Sequence, residues 1–351
     1  MRGLPWPLPS VVAGSFRTAF VKTGSEDFSG DLPQRLMRIA VAGVFPVHEQ
    51  QLYFPAPNDC VAEPSGNGKV VKIHRVSPDM DYSDGCDLPE GLMPVMLPAE
   101  VDDFKPAEIP AWWPIDKSID WLLGKTVQFD GSFLNSPVQE FRDHVKLDPE
   151  LGAAAEGQIF STTGLNVSHM PKFSSHAKGK FTERFADVTL GARVNTNGEF
   201  KSFDDFNILH SLGGERRLVH WRRSSEKING WTCPTEIRST MADATKVRMI
   251  LATPAIFKQG WKPDLDNGPL KGFSLKLIGA TIGRWNAVSG WSLAPPRGPK
   301  AIRRMVPAGS VYFFEVKKGD GEKLAEMWLE SVSDDDQEQR DGFGLAVWGT
   351  W

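Results

Sequence analysis

The side chains best able to do chemistry in this sequence are arginines set beside glycines. The run Glu215-Arg216-Arg217-Leu218-Val219-His220-Trp221-Arg222-Arg223 places four arginines in eight residues, directly after Gly213-Gly214. A second cluster, Arg297-Gly298-Pro299-Lys300-Ala301-Ile302-Arg303-Arg304, repeats the combination. Guanidinium forks bind phosphate oxygens bidentately and stack on exposed bases. Glycines let a backbone approach a phosphate and present its N–H groups. The competing use of such runs is a solvated, solubilising surface, or, for Arg217, an ion pair with Glu215 or another acid of the fold.

Residues for bond-making are sparse. The seven histidines (His48, His74, His144, His169, His176, His210 and His220) show no H-x-x-x-H or H-E-x-x-H spacing, which disfavours a zinc hydrolase. Neither a G-x-S-x-G elbow nor a phosphate loop of the G-x-x-x-x-G-K-[ST] kind is present. Asp334-Asp335-Asp336, with Glu338 and Asp341 nearby, reads as a solvated turn rather than a magnesium site. Cys60, Cys86 and Cys233 are far apart and form no C-x-x-C pair, against a disulfide scaffold or a thiolate zinc site. No metal and no cofactor is expected. The segment Gly342-Phe343-Gly344-Leu345-Ala346-Val347-Trp348-Gly349-Thr350-Trp351 lacks the G-x-G-x-x-G spacing of a dinucleotide site. It reads as a glycine-rich loop entering a final buried strand.

The elements that must carry these residues follow from composition and pattern. The chain has 351 residues, 40% hydrophobic and 24% charged, enough apolar side chain for a packed core and too much for wholesale disorder. No apolar run approaches the ~18–20 residues of a membrane span. Pro5, Pro7 and Pro9 interrupt the start, where a signal peptide needs an unbroken apolar stretch, so a cytoplasmic location is expected. The formal charge is −4, unevenly spread: from Val76 to Pro110 nine acids face only Lys105, a net −8, leaving +4 on the remaining chain. That segment also holds six prolines and reads as an extended insertion rather than a core element.

Ser10 is placed to cap a helix running to about Lys22 and closed by Gly24, with Val12, Phe16 and Ala19 on its apolar side and Arg17 facing away. Strands are expected over residues 37–45, 51–54, 158–163, 187–190, 217–221, 247–253, 273–278 and 310–316, with helices near 119–123, 234–244 and 321–330. Strands punctuated by single helices, without a regular βα repeat, indicate an α+β protein.

Several short blocks, in order along the chain, resemble a known family. They are Pro9–Thr18, Leu52-Tyr53-Phe54-Pro55-Ala56-Pro57-Asn58-Asp59, Glu140-Phe141-Arg142 with the following Asp148 and Glu156-Gly157, and Leu212-Gly213-Gly214-Glu215-Arg216-Arg217. Leu251-Ala252-Thr253-Pro254 with Gly260-Trp261, Ser289-Gly290-Trp291, Pro299-Lys300, Val306–Phe314 and the terminal Gly-Phe-Gly complete the series. The chain resembles the third subunit of the Cmr complex, a RAMP protein of type III-B CRISPR–Cas effectors. It departs from that pattern at Ser292, Phe160 and Arg216, and the acidic segment 76–110 has no counterpart.

The resemblance implies two tandem ferredoxin-like (RRM-related) domains: residues 1–150, carrying the Pro-rich acidic insertion at about 60–115, and residues 151–351, ending in the glycine-rich loop. It implies a non-catalytic RNA-binding subunit that holds the 5′ tag of the CRISPR RNA. Such a subunit abuts the large polymerase-like Cmr subunit and the backbone Cmr subunit, and meets target RNA indirectly. Gly213, Gly214, Arg216 and Arg217 would form one RNA-facing loop, Lys300, Arg303 and Arg304 another, and Gly342 and Gly344 a third, with Arg17 added from the first helix. All are expected to converge on one cradle. The alternative implied by other RAMP proteins is a metal-independent endoribonuclease processing CRISPR precursor RNA, with His48 as general base.

Overall fold

The computed structural model describes residues 5–23, 30–64, 70–82, 85–174, 184–198, 205–214, 217–292, 298–317 and 319–351. Helix α1 (Pro9–Thr23) starts on a proline, whose fixed φ suits the first helical position, so Ser10 sits inside the first turn rather than capping it. Strands β1 (Ala40–His48) and β2 (Gln51–Pro55) follow, then β3 (Trp112–Pro114) and helix α2 (Ile115–Leu122). A long ribbon, β4 (Val138–Leu147) with β5 (Ala154–Asn166), precedes β6 (Thr189–Asn195) and the hairpin β7 (Asn207–Ser211) with β8 (Leu218–Arg222). The rest comprises α3 (Thr235–Ala242), β9 (Lys246–Leu251), β10 (Leu275–Thr281), β11 (Asn286–Val288), β12 (Arg303–Met305) and β13 (Val311–Val316). Helices α4 (Asp320–Glu326) and α5 (Asp336–Arg340) lead into β14 (Ala346–Thr350). The mixture of helices with small antiparallel sheets is the α+β class expected.

Two four-stranded sheets organise the molecule. The first has the order β6-β1-β2-β3, every neighbour antiparallel. A fourth strand returning beside the first of three is a Greek-key order, not the ferredoxin-like order expected for this half. Because β6 pairs with β1 along Ala40–Val47, the sheet draws on both sides of residue 150, where a domain boundary was expected. The second sheet has the order β10-β13-β9-β14, again antiparallel. Its inner strand β9, Lys-Val-Arg-Met-Ile-Leu, is buried from Val247 to Leu251, as a strand covered on both faces must be.

One apolar cluster joins the sheets, running from Phe45, Leu52, Phe54 and Trp113 to Met249, Phe313, Phe314 and Trp348. A second packs α1 on the first sheet through Val12, Phe16 and Ala19 against Val41 and Val44. The acidic segment lies on the second sheet's edge. Ser77–Pro78 pairs with Val95–Met96, and Met93 N–H donates to the Ile278 carbonyl at 2.7 Å. Gly279 of β10 makes room, since a Cβ there would sit 3.1 Å from the Met93 oxygen. Asp81, Asp87, Glu90, Glu100, Asp102, Asp103 and Glu108 remain exposed.

Candidate nucleic-acid interface

The ribbon β4–β5 and the hairpin β7–β8 are each two strands wide; β4 is exposed on both faces, and β8 on one. On β7–β8, Ile208 opposes Trp221 and His210 opposes Val219. This face turns inward: Trp221 Nε1 donates to Ser15 Oγ at 3.1 Å, Ser15 Oγ donates to the Ser211 carbonyl at 2.7 Å, and the Trp221 ring lies 5.4 Å from Phe16. Leu218, His220 and Arg222 take the other, exposed face, with His220 bonded to Asn207 Oδ1. Alternation along the strand thus puts Val219 and Trp221 together on the inward face.

Every residue of β4 is exposed. Strand alternation puts Glu140, Arg142 and His144 on one face and Phe141, Asp143 and Val145 on the other. On the first face, Arg142 Nη2 donates to both Glu140 carboxylate oxygens at 3.0 Å. His144 stacks on its cross-strand partner Phe160, ring centroids 5.1 Å apart at 16°, and bonds Thr162 Oγ1 at 2.9 Å. Phe141, Val145 and Ile159 are exposed apolar side chains on the opposite face.

Ribbon, hairpin and α1 enclose an open cleft of about 1740 Å³. Arg142, Arg217, Arg222 and Arg223 line it, against the acids Glu49, Asp187 and Glu226. Gly213 and Gly214 lie on its rim, exposed, Gly213 with φ +75°. Arg217 bridges the two hairpins: its Nη1 donates to Glu140 Oε2 at 3.0 Å. The Arg142 and Arg217 guanidiniums hold the Glu140 carboxyl below its ordinary range against a smaller opposing effect of burial.

The expected site residues divide. Gly213, Gly214 and Arg217 meet in the cleft; Arg216, like Arg297, lies outside the described residues. Lys300, Arg303 and Arg304 sit elsewhere, around β12. Arg303 and Arg304 line a separate cavity of about 560 Å³ with Lys258, Asp334, Asp335 and Glu338, none of which borders the cleft. Arg303 is ion-paired with the buried Glu338, Arg304 lies 4.9 Å from the Trp285 ring centroid, and Lys300 is exposed. The single cradle expected for all these loops is therefore two places.

Arg17 does not face away from the core. It is buried, giving Nε and Nη2 to the Ile39 carbonyl and Nη1 to Asp341 Oδ1 at 2.5 Å. Gly342 and Gly344 form no open loop either. Both are buried with positive φ, and a Cβ would lie 2.4 Å from the Val41 carbonyl oxygen or 2.5 Å from Ser333 Oγ. They are close backbone approaches inside the fold. His48 ends β1 with Nδ1 on the Asp187 carbonyl at 2.8 Å and Nε2 3.4 Å from Glu49. That geometry orients the ring against the strand pair.

Arg142, Arg222 and Arg223 were not singled out as site residues. Arg222 and Arg223 belong to the basic run that contains Arg217, and Arg142 to the Glu140-Phe141-Arg142 block. A hairpin reading of both segments was the available signal, since strand alternation decides which of their side chains face out.

Fold and cleft together describe a mixed α/β protein with an open, arginine-lined cleft between its ribbon and its hairpin. The chain belongs to the CRISPR-associated protein (Cas_Cmr3) family, whose model matches residues 2–351. No curated protein matches the sequence. Among solved structures, the type III-B Cmr-beta complex bound to cognate target RNA contains a similar chain, 13% identical with a TM-score of 0.43, covering 89% of this chain and 77% of that one. The Csm3–Csm4 subcomplex of the type III-A CRISPR-Cas interference complex contains another, 10% identical with a TM-score of 0.37, covering 98% and 94%.

Proposed function

We propose that this chain is a non-catalytic RNA-binding subunit of a type III-B CRISPR RNA-guided effector (Cmr) complex, and that the cleft between its hairpins holds the 5′ tag of the CRISPR RNA. The observation that carries this reading is the convergence of Arg142, Arg217, Arg222 and Arg223 on one open cleft from two segments far apart in sequence. Single-stranded RNA is recognised by cations and backbone N–H groups on its phosphates and by stacking of splayed bases. The exposed Gly213-Gly214 turn supplies the backbone approach. The stacked His144–Phe160 pair, on the ribbon face that carries Arg142, supplies an aromatic surface.

In this reading the large polymerase-like subunit and the backbone subunit pack on the remaining surface, and target RNA is cut elsewhere in the assembly. Exposed Phe141, Val145 and Ile159 on the outer ribbon face, and the exposed acids of the segment 76–110, support protein neighbours there. The order β10-β13-β9-β14 supports a ferredoxin-like reading of the second sheet.

The test is a titration of tag RNA over a salt series. Arg217→Ala and Arg222→Ala should each weaken binding and lower the magnitude of the salt slope by about one unit. Unchanged affinity and slope in both variants would remove the cleft from the RNA site.

A further inference from the structure

We infer that Glu140 is a positioning residue for this cleft: its carboxylate seats Arg217 across Gly164 and locks the ribbon to the hairpin in the geometry that receives a phosphodiester. The inference rests on the RNA-binding reading of the cleft and goes beyond it, because it assigns an acid a favourable part in binding a polyanion.

Two residues make the seat. Glu140 and Gly164 are direct cross-strand partners in β4–β5. Because residue 164 has no side chain, the Arg217 guanidinium lies on bare strand backbone. A Cβ at Gly164 would come 2.5 Å from Nη2, 2.6 Å from Cζ and 2.9 Å from Nε. In that position Nη2 is buried and has no hydrogen-bond partner among the described residues, which costs free energy. Contact with Glu140 through Nη1, at 3.0 Å, offsets that cost. Without the carboxylate nothing favours the seat, and a flexible arginine swings out to water. Glu140 also holds Arg142 at 3.0 Å, so one negative charge orders two guanidiniums and the trio keeps a net charge of +1. A carboxylate that only occupied a phosphate position would compete with RNA. One that spans two hairpins and fixes a partly desolvated arginine preorganises the site instead.

The experiment measures binding of a short single-stranded RNA to the full chain by fluorescence anisotropy. The proteins are wild type, Glu140→Gln, Gly164→Ala, Arg217→Ala, the Glu140→Gln/Arg217→Ala pair, and Glu150→Gln at the exposed ribbon tip as a charge-matched control. Glu150→Gln removes a negative charge and should tighten binding slightly. Glu140→Gln removes the same charge, yet should weaken binding by about threefold to fivefold, the upper part of the range of an exposed ion pair. Gly164→Ala should weaken it too, because the added methyl occupies the arginine's seat. In the Arg217→Ala background Glu140→Gln should have no further effect. The unfolding midpoint should not move with Glu140→Gln, which separates positioning from support of the fold. If Arg217→Ala weakens binding while Glu140→Gln tightens it, the cleft still binds RNA and Glu140 is only a competitor, which overturns the inference. Equal weakening by Glu140→Gln with and without Arg217 also overturns it. If Arg217→Ala itself leaves affinity unchanged, the RNA reading of the cleft fails first.

Discussion

Asp59 and Arg248 meet at 2.5 Å with neither side chain exposed to solvent. Asp59 ends the Leu52–Asp59 block beside the first sheet, and Arg248 stands in β9, an inner strand of the second. Trp121 Nε1 donates to the other Asp59 oxygen at 2.8 Å, and Arg248 Nη2 donates to the Trp121 carbonyl. Burial pushes the Arg248 guanidinium down from its ordinary range, and the Asp59 charge opposes that shift. Arg75, 3.9 Å above the Trp121 ring, is pushed down to about 10 by burial first and the neighbouring Arg248 second. One carboxylate therefore serves a cationic knot tying both halves of the chain.

Asp59→Asn should leave Arg248 as an uncompensated buried charge. The expected loss is about 3–5 kcal/mol of unfolding free energy, measured by denaturant titration. An unchanged midpoint would show that the pair does not bridge the two sheets. Arg248→Met orphans the buried Asp59 carboxyl in turn, but a carboxyl can take up a proton where a guanidinium does not lose one, so it should cost less than Asp59→Asn.

Arg17→Met gives the opposite signature to Arg217→Ala. Arg17 is buried on the Ile39 carbonyl and Asp341, so its loss leaves Asp341 without its partner. Thermal stability should fall while the salt slope of RNA binding in the folded fraction stays at the wild-type value. A reduced slope with unchanged stability would place Arg17 on the RNA instead.

Glycine substitutions separate fold from surface. Gly342→Ala adds a methyl 2.4 Å from a backbone oxygen at φ +89° and should cost well over ~1 kcal/mol. Gly213 has a similar φ of +75°, but a Cβ there meets nothing nearer than Val11 at 3.9 Å. Gly213→Ala should therefore cost only about 1 kcal/mol of backbone strain. Equal losses in the two proteins, read by chemical denaturation, would contradict the packing around Gly342.

Asp320 opens α4, and its carboxyl lies below the ordinary range. The Ser274 N–H that it accepts at 3.1 Å is the main cause, with Lys323 at 3.3 Å assisting. A depressed pKa in the folded state stabilises the protein above the unfolded pKa, and that stability is lost as pH falls through the folded pKa. Asp320→Asn should lower Tm at neutral pH, and the difference from wild type should vanish as pH falls through and below the ordinary aspartate range. A Tm difference that persists at the acidic end would assign the effect to packing.

Much of the local structure was legible in the sequence, and the particular misses are informative. Residues 51–54, 217–221 and 310–316 form strands close to where alternation and β-branched content put them. A period of two fixes which residues of β8 share a face, and burial against α1 decides which face is outward. Arg17 was misplaced because a helical pattern shows only that a cation stands off the apolar stripe, not that a carboxylate from the chain's far end waits there. Gly342 and Gly344 looked like a pliable ligand loop, but glycine is equally the residue that lets two backbones touch. Only the neighbouring strand distinguishes those uses. Glu140 was legible only as part of the Glu140-Phe141-Arg142 block; its second partner is 77 positions away.

The sequence alone settled the α+β class, the positions of the two basic clusters and the resemblance to the family, because all three reside in residue type, order and short spacing. Tertiary structure decided which cations face solvent and which neutralise the core. It separated the two clusters into different cavities and brought Arg142 to Arg217. Those outcomes depend on which hairpin packs beside which, a question of long-range burial that no local pattern encodes. Burial then fixes a charged group's use: desolvation forces Arg17 and Arg248 to find carboxylates within the fold, while Arg142 and Arg222 stay exposed.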